Sequence, residues 1–261
     1  MTHWIKFLGT AGARFVMIRQ LRSSAGVWYH LNGMNILVDP GPGTLVKCAS
    51  SRPRLDPTKL DVIILTHKHI DHSTDVNVMI EAMTDGGFRS RGRLFAPRDA
   101  LEGDPVILQY VRSFPEELIV LQPESAYDLA DRVTLRTSPR HIHPVETYGL
   151  RFELPDRVIG HLVDTAYFDD LVTAYAGVDV LILHVVRFSG EGDEEKGIQH
   201  LNLGDAEKII AAVKPRLAVL THFGMTMLKA RPWELAQQLT DRLGIKVVAA
   251  NDGMQLNLDE W

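Results

Sequence analysis

One cysteine, Cys48, is all that 261 residues contain. An internal disulfide is therefore excluded, and a reducing compartment fits, with cytoplasmic residence as the default expectation. No base partner stands near Cys48, so it reads as packing and not as a nucleophile. Long apolar runs are missing as well. Nothing approaches the ~20 consecutive apolar residues of a membrane helix, and no charged segment followed by an apolar one opens the chain as in a secretory leader. A basic excess is also lacking: 28 Lys+Arg stand against 33 Asp+Glu, a net charge of −5. A broad nucleic-acid-binding surface, which reads as strongly basic, is not expected. Gly9 and Gly12 follow the apolar stretch 4–8 but lack the third glycine and the helix of a nucleotide loop. They read as a turn or bulge that lets the backbone pass near the site.

What is present is ordinary for a globular chain, with 45% apolar and 23% charged residues. That is enough to bury a substantial core. No linker justifies a cut, so 1–261 is expected to form a single domain. Strands are expected at 4–8, 26–31, 35–39, 94–96, 118–121, 133–135, 158–163, 178–183, 217–221 and 246–250. The Asn32-Gly33 step between the second and third marks a hairpin. Val76, Met79, Ile80 and Met83 recur at helical spacing, as do Ala206, Ile209, Ile210 and Val213. Residues 232–243, followed by Gly244, read as a closing helix. Val106, Ile107, Tyr110 and Val111 are read as one more helix face, and the acidic run 191–196 as a solvated loop.

The chemistry concentrates in residues 66–72, Thr-His-Lys-His-Ile-Asp-His, directly after the apolar run 62–65. Imidazole nitrogens and carboxylate oxygens are ligands that zinc, manganese and iron accept. A loop leaving a strand is not held in a ladder, so His67 and His69 can face one ion while Asp71 and His72 turn toward a second. A dinuclear metal site is the expectation. More candidates stand near later strand ends: His141 and His143, Asp164, His184, and His222, with His200 ahead of a helix. If their segment is extended, His141 and His143 share a face. His161, inside its strand, reads as a packed or paired histidine, and His3 and His30 as surface or structural.

The 66–72 stretch resembles the HxHxDH signature of the metallo-β-lactamase superfamily, and five elements from Gly9 to His222 follow that family's order. The resemblance implies an α/β fold, a four-layer αββα sandwich with two sheets face to face and helices outside. It assigns His67, His69, His143 and Asp164 to a first ion, and Asp71, His72, Asp164 and His222 to a second, with Asp164 bridging. Two divalent cations are implied, zinc first, with manganese and iron as alternatives. The Tyr148-Gly149 pair resembles the RNase Z and phosphodiesterase branch, in which a ligand histidine stands a few residues earlier. His143 fits that place better than His141, which would then support a ligand or line the pocket. Asp39, in Asp39-Pro40-Gly41, matches the family's Asp-x-Gly turn and is expected to support the site. His184 departs from the acidic residue that relatives often carry there, and would line the pocket or support a ligand. His200-Leu201-Asn202 resembles a segment whose histidine approaches a scissile phosphate; an interaction at the helix start is its alternative reading.

The implied activity is metal-assisted hydrolysis by an activated water between the cations, with Asp71 orienting it and His200 protonating the leaving oxygen. A small-molecule or short phosphodiester substrate is expected, with no membrane partner; nothing excludes a homo-oligomer. No basic glycine- and proline-rich arm for tRNA is present, nor an added cysteine-rich zinc site. His69 stands where flavodiiron oxidoreductases carry glutamate. A lactone, thioester or β-lactam hydrolase is the runner-up, and a non-catalytic metal-binding or regulatory protein the third reading.

Overall fold

The structure is a computed structural model and describes residues 3–12, 14–130, 132–193 and 195–261. Two compact units divide the chain, one of residues 1–9, 22–122 and 252–260, the other of 10–21, 123–251 and 261.

The first unit is built on one seven-stranded sheet of β1 (Trp4–Phe7), β2 (Val27–Leu31), β3 (Met34–Val38), β4 (Val62–Ile64), β5 (Arg93–Ala96), β6 (Glu117–Val120) and β14 (Gln255–Asn257). The order is β14-β1-β2-β3-β4-β5-β6. Pairing is antiparallel from β14 to β3 and parallel from β3 to β6. Asn32 and Gly33 join β2 to β3 with φ of 50° and 84°. Two successive positive φ values match the right-handed twist of a tight hairpin, which is why Asn-Gly serves there. Three helices belong to this unit: α2 (Thr44–Ser50), α3 (Ile70–Ser73) and α4 (Val76–Met83). Val76, Met79, Ile80 and Met83 of α4 share one core with Leu37, Ile63 and Leu94 of the sheet. Burying each such side chain contributes about 1.5–3 kcal/mol. The helix face expected at 106–111 is not formed as such. Only a 3-10 turn at Gln109–Ser113 appears, and Ile107 spends its carbonyl on the Arg112 guanidinium.

The second unit carries another seven-stranded sheet: β7 (Ala126–Ala130), β8 (Val133–Arg140), β9 (Tyr148–Glu153), β10 (Val158–Leu162), β11 (Val180–His184), β12 (Leu217–Thr221) and β13 (Lys246–Ala249). The order is β13-β12-β11-β10-β9-β8-β7. Strands β10 to β13 are parallel. Their links carry α5 (Asp170–Ala174), α6 (Leu203–Val213), α7 (Met225–Lys229) and α8 (Pro232–Leu243), since parallel neighbours need a crossover. Strands β11 and β12 are buried at every residue, which explains their unbroken apolar sequences. Ile209 and Ile210 of α6 and Leu235 and Leu239 of α8 pack with Leu181, Leu183, Ala218 and Leu220. Asn202 caps α6 in a reciprocal box with Asp205. Gly244 ends α8 at φ 67°, a left-handed cap open to glycine. A short helix, α1 (Phe15–Ile18), also falls in this unit.

One local expectation is corrected here. The acidic run is not wholly solvated, because Asp193 is buried and paired with Arg187 at 2.8 Å; Glu194 lies outside the described residues. Cys48 is fully buried in the first core, and burial pushes its thiol up to about 12. Among the described residues no helix is long and apolar enough to cross a membrane.

Candidate metal centre

In the first unit, residues 66–72 leave the carboxyl end of β4, and the chain turns directly into α3. Asp39 leaves the adjacent parallel strand β3 in the left-handed region, at φ 52°. That places a buried carboxylate under the histidine loop. Oδ1 of Asp39 accepts the Thr66 backbone N–H at 2.7 Å, and Oδ2 accepts the Thr66 hydroxyl at 2.7 Å. Oδ2 also accepts Nδ1–H of His72 at 2.9 Å. Because the Thr66 proton is spent on Asp39, its oxygen is the acceptor for Nδ1 of His67 at 3.0 Å. Both imidazoles are thereby fixed with hydrogen on Nδ1 and a lone pair on Nε2.

Asp39, His67 and His72 offer ligand atoms within 4.8 Å of one another. The His67 ring lies 4.9 Å from that of His69 and 4.0 Å from that of His72, and Oδ2 of Asp71 lies 3.6 Å from Nε2 of His72. Gly41 makes this packing feasible. A Cβ there would lie 2.0 Å from the carbonyl oxygen of Asp71 and 2.1 Å from that of Ser24.

In the second unit the candidates stand at the carboxyl ends of three adjacent parallel strands: Asp164 after β10, His184 ending β11, His222 after β12. Parallel α/β sheets place their sites at this end. Oδ1 of Asp164 accepts Nδ1–H of His184 at 2.9 Å and lies 3.3 Å from Nε2 of His222. Oδ2 faces Nδ1 of His200 at 3.6 Å. Burial alone would raise the Asp164 carboxyl. The nearby His222 and His200 and the bonds from His184 and His222 outweigh it, holding Asp164 well below the usual carboxylate range. Burial, with His222 close by, pushes His184 well below the usual imidazole range, so it is neutral. His222 itself sits at φ 59°. Its neighbour Phe223 is pinned through N–H to the Thr10 carbonyl and through its own carbonyl to the Gly12 N–H. A Cβ on Gly12 would lie 2.5 Å from the His222 carbonyl oxygen, which accounts for that early glycine.

His141 and His143 do not share one face, because 141–147 is a bent loop and not a strand. His141 donates Nδ1–H to the Asp164 carbonyl at 3.1 Å, and burial pushes it down to about 4. Its Nε2 is walled by the backbone of Gly149, where a Cβ would come within 2.9 Å. His143 donates Nδ1–H to the Gln199 carbonyl at 3.1 Å, and its ring meets that of His200 edge-on at 5.2 Å. His200 does not cap α6; Asn202 has that role.

Two participants were not singled out from the sequence as site residues. Thr66 ties His67 to Asp39, and His161 touches His184, Nε2 to Nε2 at 3.1 Å. A threonine beside a histidine carries no signal of this kind, and the contact of His161 depends on strand pairing. His3 and His30 have structural partners. Nδ1 of His3 accepts the Asn32 N–H, and Nδ1 of His30 meets Oδ1 of Asn35 while its ring stacks on Trp4.

A family model described as "Beta-lactamase superfamily domain" matches residues 34–223. An uncharacterised protein of Methanocaldococcus jannaschii is 31% identical over 262 residues, covering 97% of this chain and 94% of that protein. The ribonuclease Z of Thermobifida fusca is 25% identical over 268 residues, covering 83% of this chain and 82% of the relative. Among solved structures, the metallo-β-lactamase fold protein YhfI from Bacillus subtilis matches with a TM-score of 0.77 at 20% identity, covering 98% of this chain and all of that one. The expected α/β, metallo-β-lactamase-like fold is borne out by these likenesses.

Proposed function

We propose, from the premise that this chain belongs to the metallo-β-lactamase superfamily of metal-dependent hydrolases, in its RNase Z-like branch, that it hydrolyses a phosphodiester with two bound cations. The observation that carries this reading is the way the imidazoles are held. His67, His72 and His143 each give Nδ1–H to an oxygen acceptor, namely Thr66, Asp39 and the Gln199 carbonyl. Metal-ligating histidines are held in this manner, with Nε2 left as the ligand atom. Nitrogen and carboxylate donors without a thiolate suit zinc, with manganese and iron as alternatives.

On this reading His67, His69, His143 and Asp164 hold one ion, and Asp71, His72, Asp164 and His222 the other. Residues 1–261 then serve as a single hydrolase domain. Bound cations supply a water of lowered pKa and positive charge for the substrate oxygens. Asp71 would orient the attacking water through its carboxylate. Asp164 stays ionised because its imidazole neighbours hold its carboxyl low. His200, beside His143, donates a proton to the leaving oxygen, a role worth about 10²–10⁴ in rate.

The phosphodiester assignment is supported by the relative named ribonuclease Z. The net charge of −5 favours a small or short substrate over a long nucleic acid. The test is a screen of the metal-loaded protein against bis-p-nitrophenyl phosphate, cyclic nucleotides, lactones and thioesters, with His200→Ala beside it. Phosphodiester turnover that falls at least about 100-fold in His200→Ala, with metal content unchanged, supports the reading. Turnover of lactones or thioesters alone would replace the substrate class, and bound metal with no turnover would favour a binding protein.

A further inference from the structure

His184 ends β11 and is bonded at both ring nitrogens. Nδ1 meets Oδ1 of Asp164 at 2.9 Å, and Nε2 meets Nε2 of His161 at 3.1 Å. His161, His184 and Asp164 are 1%, 6% and 2% exposed, so water does not substitute for any of these partners. The protons can be placed by elimination. An ionised carboxylate only accepts, so Nδ1 of His184 carries the hydrogen. A neutral imidazole has one N–H, so Nε2 of His184 is a lone pair, and His161 must donate from its own Nε2. The chain therefore runs in one direction, from His161 through His184 to Oδ1 of Asp164.

His161 cannot easily swing away. It lies inside β10, with its backbone paired to Leu150 on one side and Ile182 on the other. His184 is further fixed by parallel stacking on His222, with centroids 4.3 Å apart and planes 12° apart. The Tyr175 hydroxyl closes the same corner by donating to the His161 carbonyl at 3.2 Å.

The geometry points to His161 and His184 as a pair of positioning residues for the Asp164 carboxylate: His161 sets the tautomer of His184, and His184 fixes the rotation of Asp164 about its side chain. This rests on the reading of Asp164 as a metal ligand and adds what selects its orientation. An outer hydrogen bond of this kind typically changes metal affinity by about 10–100-fold when removed. A histidine pair that merely fills the core would leave metal affinity untouched.

The test combines a tautomer measurement on the metal-free protein with zinc affinities from chelator competition. In ¹⁵N–¹H spectra of the histidine rings, the pair requires hydrogen on Nδ1 of His184 and on Nε2 of His161. His184→Ala should weaken zinc binding about 10–100-fold. His184→Asn, whose amide nitrogen stands near the place of Nδ1, should recover affinity to within a few-fold. His161→Phe keeps a planar ring but removes both ring nitrogens, and should give mixed tautomers of His184 with an intermediate loss. Hydrogen on Nε2 of His184 in the native protein would overturn the pair outright, and needs no variant to fold. If Asp164→Ala loses zinc while His184→Ala binds as well as the native protein, the pair fails and the ligand reading survives. If Asp164→Ala itself binds two equivalents undiminished, the ligand reading beneath it fails instead.

Discussion

Nδ1 of His72 and the hydroxyl of Thr66 donate to the same oxygen, Oδ2 of Asp39, at 2.9 and 2.7 Å. One buried carboxylate, in a left-handed backbone position at the end of β3, thus orients both ends of the histidine loop. Asp39→Ala would leave the His72 Nδ1–H and both Thr66 donors unmatched in a buried setting. The expected outcome is about 3 kcal/mol or more of lost stability in denaturant melts. Zinc affinity should fall about 10–100-fold in chelator competition. Asp39→Asn keeps one carbonyl acceptor and should lose less of both.

Gly41 and Gly33 offer a matched pair of glycine substitutions. At Gly41 a methyl group would meet two backbone carbonyl oxygens, of Asp71 and Ser24, at 2.0 and 2.1 Å. Neither can rotate away as a side chain would. Gly41→Ala is expected to cost more than about 4 kcal/mol, the range of severe core disruption, and to displace Asp71. Gly33 has open space around it and a φ of 84°, so Gly33→Ala carries only the backbone penalty of about 1 kcal/mol. Thermal melts of the two variants check the contrast.

His141 and His143 divide by what surrounds Nε2. That of His141 is buried against the Gly149 backbone, and its ring is kept neutral by burial down to a pH of about 4. His143→Ala is expected to lose one of two zinc equivalents in titration, and His141→Ala to retain both. The reverse stoichiometry would move the ligand role to His141.

Cys48 supplies a pH signature independent of metal. Its thiol, at 9.0 when unperturbed, is pushed up to about 12 by burial and by the nearby Asp75. Between those values the folded state holds a proton that the unfolded state has lost. Stability is therefore full below pH 9 and falls as pH rises toward 12. Cys48→Ala should flatten that fall in urea melts between pH 8 and 11. The same burial predicts that native protein reacts with iodoacetamide at pH 8 only on unfolding.

Much of the scaffold was legible because its signals are local. Asn32-Gly33 specified the hairpin, and Pro232 with Gly244 bracketed α8. The apolar spacing of α4 and α6 marked faces that are buried except at half-buried Val213. Edge strands β7 and β14 were not read from the sequence, since an edge needs no apolar alternation once a neighbour supplies the ladder. Residues 106–111 have helical apolar spacing but form only the 3-10 turn Gln109–Ser113, in which Val111 is buried and Tyr110 exposed. The histidine-rich loop was legible from ligand density alone. Its supports were not: Thr66 and His161 act through partners 27 and 23 residues away, Asp39 and His184. Only strand pairing and the parallel strand ends bring those pairs into contact.

The proposed two-cation phosphodiester hydrolysis is tested by bis-p-nitrophenyl phosphate turnover followed across a zinc titration of metal-stripped protein. Turnover should rise with bound zinc, reach its maximum at two equivalents per chain, and vanish again with chelator. Asp164→Ala should abolish the rise. Turnover that is complete without metal, or that is already maximal at one equivalent and indifferent to Asp164→Ala, would rule out a two-cation hydrolase.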